Sequence, residues 1–171
     1  MELPHRGVAK QGKLVVSATM LRLTKKADYG LMALKFLAEH PNDASLSARD
    51  IAEAYHIPPQ LLAKILQRLA KVGILRSHAG MSGGYSLLKP PREISAFEVI
   101  HAIDGPLFIT SCGPSHSGCD LTDSCTIKEP LARVNDSISG LLRSISIEDL
   151  AEPGGDGARA KSLQELVTIR M

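Results

Sequence analysis

Cys112, Cys119 and Cys125 are the only cysteines of this 171-residue chain, and GPSHSGCDLTDSC separates the first from the last. Three thiols cannot all pair within one molecule, so the set reads as three metal ligands awaiting a fourth rather than as a disulfide framework. Iron is held by thiolates, and small polar spacers let a short loop wrap a cluster without burying unpaired backbone. Zinc favours two cysteines roughly two to four residues apart. The gaps here are six and five, which leans toward an iron-sulfur cluster of two or four irons. Two other chemistries stay open: a zinc staple, and a cluster-free switch in which an exposed thiolate near positive charge is oxidised. His116, between two of the cysteines, is one candidate for the missing ligand.

The surrounding composition narrows what such a site serves. An apolar content of 44% supports a core in one compact domain with an appendage, while three Phe, three Tyr and no Trp leave little to stack bases or sugars. Residues 20–90 carry ten Lys or Arg against five Asp or Glu, a balance of +5, whereas residues 91–171 carry seven against twelve, a balance of −5. A basic half joined to an acidic half suits a nucleic-acid-binding module beside a sensing or pairing module. No nucleophile with an evident base, no phosphate loop and no paired carboxylates point to an enzyme, and His78, His101 and His116 are scattered. No run approaches the roughly 18 apolar residues of a membrane span. LVVSATML at 14–21 is short and runs straight into RLTKK, so a signal peptide is rejected and a cytoplasmic protein with reduced thiols is expected.

The elements that must position the cysteines can be read along the chain. Residues 1–19 lack periodicity and read as a flexible extension. From the N-cap Thr24, KKADYGLMALKFLAEH reads as a helix ending before Pro41, and Ser47 caps a second helix, ARDIAEAYH. IPPQLLAKILQRLAKVG begins with a proline pair and ends in glycine, as a bounded helix should. Leu62, Ile65, Leu66, Leu69 and Val72 form its expected buried stripe. Gln60, Lys64, Gln67 and Lys71 recur on another face, where they present long donors to a surface outside the core. ILRSH and YSLLK, joined by the glycine-rich AGMSGG, read as a hairpin. Two helices about a tight turn followed by a hairpin is the winged helix-turn-helix order, whose second helix enters the DNA major groove.

A short helix, AFEVIHAID, then precedes the cysteine segment. Beyond it Ile127, Leu131, Val134, Ile138, Leu141 and Ile145 alternate by four and three. That heptad seam calls for a partner helix and favours a homodimer reading two half-sites. Pro130 must fall in its first turn. AEPGGDGARAKS is linker-like, and 151–171 reads as a flexible tail. The expected organisation is therefore mainly α. It comprises a winged helix-turn-helix DNA-binding domain at 20–90, a short helix and cysteine loop at 91–126, and a long C-terminal dimerisation helix at 127–150.

RLTKKADYGLMAL, LLAKILQRLAKVGIL, the wing ending GGYSLL and the C-x6-C-x5-C that follows resemble the IscR/NsrR-type winged-helix regulators over roughly residues 20–150. The N-terminal stretch looks closest to regulators of the sulfur-mobilisation type of iron-sulfur assembly operon. The resemblance implies a dimeric repressor that senses an iron-sulfur cluster held by Cys112, Cys119 and Cys125 and binds a palindromic operator on double-stranded DNA. It implies that Gln60, Lys64, Gln67 and Lys71 face the DNA from the helix, and Arg76, His78, Gly83 and Gly84 from the wing. Family wings often carry arginine just before the first wing glycine, where this chain has Ala79, leaving Arg76 and His78 as substitutes. In the assembly-regulator branch a histidine follows the third cysteine by three residues, where this chain has Lys128. A protonated lysine has no lone pair for iron. The nitric-oxide-sensing branch uses an aspartate in the first helix of the partner subunit, and RLTKKAD places Asp28 there. Asp28 therefore ranks before His116, with an exogenous ligand or water third. The competing readings are a zinc- or thiol-based winged-helix repressor without a cluster and, from another class, a metal-stapled protein-interaction module.

Overall fold

The structure is a computed structural model describing residues 23–80, 83–108 and 125–152. The extension at 1–19, the tail beyond 152, and Cys112, His116 and Cys119 lie outside the described residues.

Helix α1 spans Lys25–Glu39 and begins where the Thr24 hydroxyl accepts the Ala27 N–H at 3.1 Å, satisfying one of the orphan amides of the first turn. Helix α2, Ala48–Tyr55, starts at a reciprocal capping box between Ser47 and Asp50. It stops at His56, which adopts the left-handed conformation with φ 52° and returns the chain so that the Ile57 N–H reaches the Ala52 carbonyl at 2.9 Å. Helix α3, Pro59–Lys71, follows at once, with proline in the position where a missing N–H costs nothing. Its end is fixed by Gly73, φ 80°. The Gly73 and Ile74 N–H groups return to the Ala70 and Leu69 carbonyls at 3.1 and 3.0 Å, the two bonds of a Schellman closure.

Strand β1, Leu75–His78, pairs antiparallel with β2, Gly84–Leu87, with Leu75 opposite Leu87 and His78 opposite Gly84. The outer edge of β2 is also held. Tyr85 donates to the Leu46 carbonyl at 2.8 Å and accepts the Leu46 N–H at 3.1 Å, so the wing is tied to the loop between α1 and α2.

Leu62, Ile65, Leu66 and Leu69 are buried, as their spacing predicts, beside Leu34, Leu37, Ile51, Ile74, Ile94 and Val99. Val72 is a correction: it is 53% exposed. The helix has closed at Lys71, Val72 is the capping residue, and Ile74 takes the buried place beyond the turn. Helix α4, Ala96–Asp104, is capped by Ser95 and crosses α1 so closely that a Cβ on Gly30 would lie 2.2 Å from Ile103 Cδ1.

Helix α5 spans Lys128–Ser144, with Pro130 in its first turn. The single helix expected at 127–150 is corrected here, because the chain breaks at Ile145, which is extended, and restarts as α6, Ile147–Ala151. The cause is a second capping box, Ser146 with Asp149, that nucleates a separate helix. Ala96 donates to the Ile145 carbonyl and Ile147 to the Ile94 carbonyl, both at 2.8 Å. Ile147 is fully buried in the same cluster as Ile94 and Val99. The result is a mostly helical winged-helix fold with a long C-terminal helix, α5, stitched back to it at one end.

Ile147→Ala should cost about 2–5 kcal/mol in denaturant unfolding, the range for emptying a well-packed isoleucine site. A loss below about 1 kcal/mol would show that α6 lies outside the core.

Candidate functional site

Helix α3 carries no acidic residue among its thirteen, and its first turn has neither an acid nor a capping side chain. The positive end of its dipole is thus left uncompensated. Gln60, Lys64, Gln67 and Lys71 are all exposed, away from the buried stripe. Their return every four, three and four residues aligns them along one side. That side offers two ammonium groups and two amides that donate and accept, which suits phosphates and base edges. Arg68, also on α3, is engaged differently: its Nε donates to the Ala102 carbonyl in the last turn of α4. The spacing of residues in the sequence gives no sign of this bond, since the accepting carbonyl lies 34 residues away.

On the wing, Arg76 is exposed and sits opposite Ser86. His78 Nε2 lies 2.8 Å from Ser86 Oγ, so its ring is held across the hairpin rather than reaching freely outward. Gly84 is corrected from a surface contact to a packing position. It is buried, and a Cβ there would lie 2.4 Å from the Leu46 carbonyl oxygen. At Gly83 a Cβ would lie 2.5 Å from the His78 carbonyl oxygen, so the close approach within the turn accounts for that glycine. On α2, Arg49 pairs with Glu53 at 2.8 Å, and this hydrogen bond raises the guanidinium pKa above its ordinary value.

Of the three cysteines, Cys125 is among the described residues: a free, half-buried thiol three positions before α5. Among the described residues, no three His, Cys, Asp or Glu side chains gather to hold a metal. Asp28 is exposed in the first turn of α1, where its N–H donates to the Thr24 carbonyl at 3.0 Å, and its carboxylate makes no hydrogen bond or ion pair among the described residues. Its neighbourhood is informative. The Thr24 hydroxyl, one turn earlier, donates to the Asp104 carboxylate at 2.8 and 2.9 Å. Helix α4 therefore ends beside the start of α1, and Cys112 follows Asp104 by eight residues. The stem of the cysteine segment thus departs from the end of α1 that carries Asp28. Lys128, in the position of the absent histidine, is exposed at the start of α5.

No residue of α5 is buried. Ile127, Val134 and Leu141, seven residues apart, are 60%, 46% and 36% exposed. Leu131 and Ile138 are half-buried. Ile145, the last residue of the expected seam, is the extended residue that ends the helix. On its other flank α5 meets α4, where the Arg143 guanidinium lies 3.6 Å from the Phe97 ring centroid, a cation–π contact. One row of the seam is thus partly covered by its own chain and the other stands in solvent. Among the described residues no helix is long and apolar enough to cross a membrane.

Comparison with known proteins accords with this architecture. The Rrf2 family, described as iron-dependent transcriptional regulators, matches residues 23–153. An rrf2-like HTH-type transcriptional regulator of Rhodobacter capsulatus is 35% identical over 145 residues, covering 80% of this chain and 97% of that protein. The HTH-type transcriptional regulator IscR of Photorhabdus laumondii is 35% identical over 130 residues, covering 76% and 79%. Among solved structures, CymR, the global cysteine regulator of B. subtilis, superposes with a TM-score of 0.63 at 26% identity, covering 77% of this chain and 97% of CymR. The chain belongs to the Rrf2 family of winged-helix transcriptional regulators.

Proposed function

We propose that this protein is a homodimeric repressor that binds a palindromic operator through α3 and the wing, and that an iron-sulfur cluster on Cys112, Cys119 and Cys125 sets its affinity. The observation that carries the DNA reading is the acid-free recognition helix with Gln60, Lys64, Gln67 and Lys71 exposed along one side. Gln67 and Lys71 continue the row toward the wing, where Arg76 is the exposed cation. The exposed row of Ile127, just before α5, with Val134 and Leu141 of α5 is the pairing surface, matching the expectation that two chains address two half-sites.

The donor set fits a cluster. Three thiols lie in a polar, glycine-containing segment, and Cys125 is unpaired and half-buried, so a thiolate there is accessible to iron. A cluster, when bound, supplies a centre whose assembly or loss reports iron, oxygen or nitric oxide. The fourth ligand is assigned first to Asp28 of the partner subunit, with His116 second. The departure of the cysteine stem beside Thr24 favours the same chain's Asp28 as a second geometry. Regulation of iron-sulfur assembly genes is the physiological role that the resemblance carried by RLTKKADYGLMAL and the wing GGYSLL implies. A thiol-based, cluster-free repressor is the second reading, supported by the likeness to CymR, whose Staphylococcus aureus protein has been solved in an oxidized form.

Anaerobic purification should give a coloured protein carrying iron and acid-labile sulfide. A colourless protein with one zinc per chain would establish the zinc reading, and a metal-free protein that forms a disulfide on oxidation would establish the thiol reading. On DNA, Lys64→Ala should weaken binding across sequences and reduce the slope of log affinity against log salt by about 1. Gln60→Ala should relax base preference, with about 1–3 kcal/mol of discrimination lost at one position. Unchanged binding in both variants would remove this face of α3 from the interface.

A further inference from the structure

Three successive residues at the end of α4 are each fastened to a different part of the DNA-binding unit. The Ala102 carbonyl accepts from Arg68 of α3. Ile103 is buried at the close crossing on Gly30, where Ile65 of α3 also packs. The Asp104 carboxylate accepts from the Thr24 hydroxyl that caps α1. Cys112 follows Asp104 by eight residues in the sequence, so the cysteine segment is joined to the described chain at this terminus.

Of the three attachments, only that of Arg68 gives the recognition helix a directional hold on α4. The last carbonyls of a helix lack intrahelical partners. His101 uses its carbonyl for the Gly105 N–H at 3.0 Å, while the Ala102 carbonyl takes the guanidinium, which also complements the negative end of the α4 dipole. The apolar packing of Ile65 and Leu69 is non-directional and tolerates a small slide. A charge-assisted hydrogen bond fixes both distance and angle, so it sets the rotation of α3. Gln67, the residue before Arg68, lies in the DNA-facing row.

We infer that Arg68 is a positioning residue that transmits the state of the cysteine segment to the recognition helix of the same chain. The inference rests on the sensor reading above and adds an intrachain route to it. It makes Arg68 a hook between helices rather than a DNA contact.

The test uses the full chain in two forms, anaerobically purified with its iron and stripped of iron by a chelator under reducing conditions. Each is titrated at several salt concentrations with a duplex selected by the parent protein from a random-sequence pool. The parent should show an affinity ratio between the two forms in the range of about 5- to 150-fold. Arg68→Met keeps the apolar stem and removes the guanidinium. It should bring that ratio below about 2-fold, with the visible spectrum, helical content, dimer mass and salt slope all retained. Arg68→Lys, which keeps one charged donor, should recover part of the ratio. An Arg68→Met protein with the parent ratio overturns the inference. So does equal weakening of both forms with the salt slope reduced by about 1, the mark of a phosphate contact. A parent protein with equal affinities in its two forms instead overturns the sensor reading, and the hook with it, before any substitution is made.

Discussion

Two backbone hydrogen bonds and one buried isoleucine decide how the parts of this molecule stand to one another. Ala96 to Ile145 and Ile147 to Ile94, both 2.8 Å, join the entry of α4 to the break between α5 and α6. Ile147, fully buried beside Ile94, pins that joint into the core shared by α1 and α3. Because the joint sits at the C-terminal end of α5, the helix is anchored there and by Arg143 over Phe97. Its apolar row is left facing outward. Burying a large aliphatic side chain is worth roughly 1.5–3 kcal/mol, so this row would gain stability from the pairing proposed above. A joint that fixes α5 on the winged helix also fixes the separation of two recognition helices once two copies pair.

On the proposed function, sensing and reading would share one short path. The last turn of α4 touches the cap of α1 through Asp104, the interhelical crossing through Ile103, and α3 through Ala102. The cysteine segment begins just beyond. On the proposed reading a centre bound there would need no long relay, because the end of α4 is already fastened to α3, the helix assigned to DNA. Such coupling is limited to the difference in binding free energy between the two forms of the protein.

Much of this was legible in the residues because the signals were local. Thr24 and Ser47 mark helix starts by accepting first-turn N–H groups, the proline pair by its fixed φ and missing donor, and Gly73 marks a left-handed closure. The buried stripe of α3 followed from its period until Val72, where the helix had ended and period no longer governed direction. The heptad pattern carried the seam past Ser144. The Ser146-x-x-Asp149 capping box was in the sequence but was outweighed by a hydrophobic repeat continuing through Ile145. Gly84 was misjudged for another reason. A residue in a wing is exposed or buried according to what lies behind the hairpin, and Leu46, which closes over Gly84, is distant in sequence. The Arg68 hook had no local signature at all. Of the proposed ligand set, Cys125 stands three positions before α5, and Asp28 stands in the first turn of α1, where the end of α4 arrives.

The central claim is that α5 pairs two chains so that two copies of α3 meet one duplex. Sedimentation equilibrium of the full chain with a selected duplex, long enough for two half-sites roughly 34–36 Å apart, measures this directly. The account predicts two chains per duplex, with Val134→Asp reducing both the free protein to monomer and the affinity for the duplex. A parent protein that saturates the duplex as a single chain would contradict it.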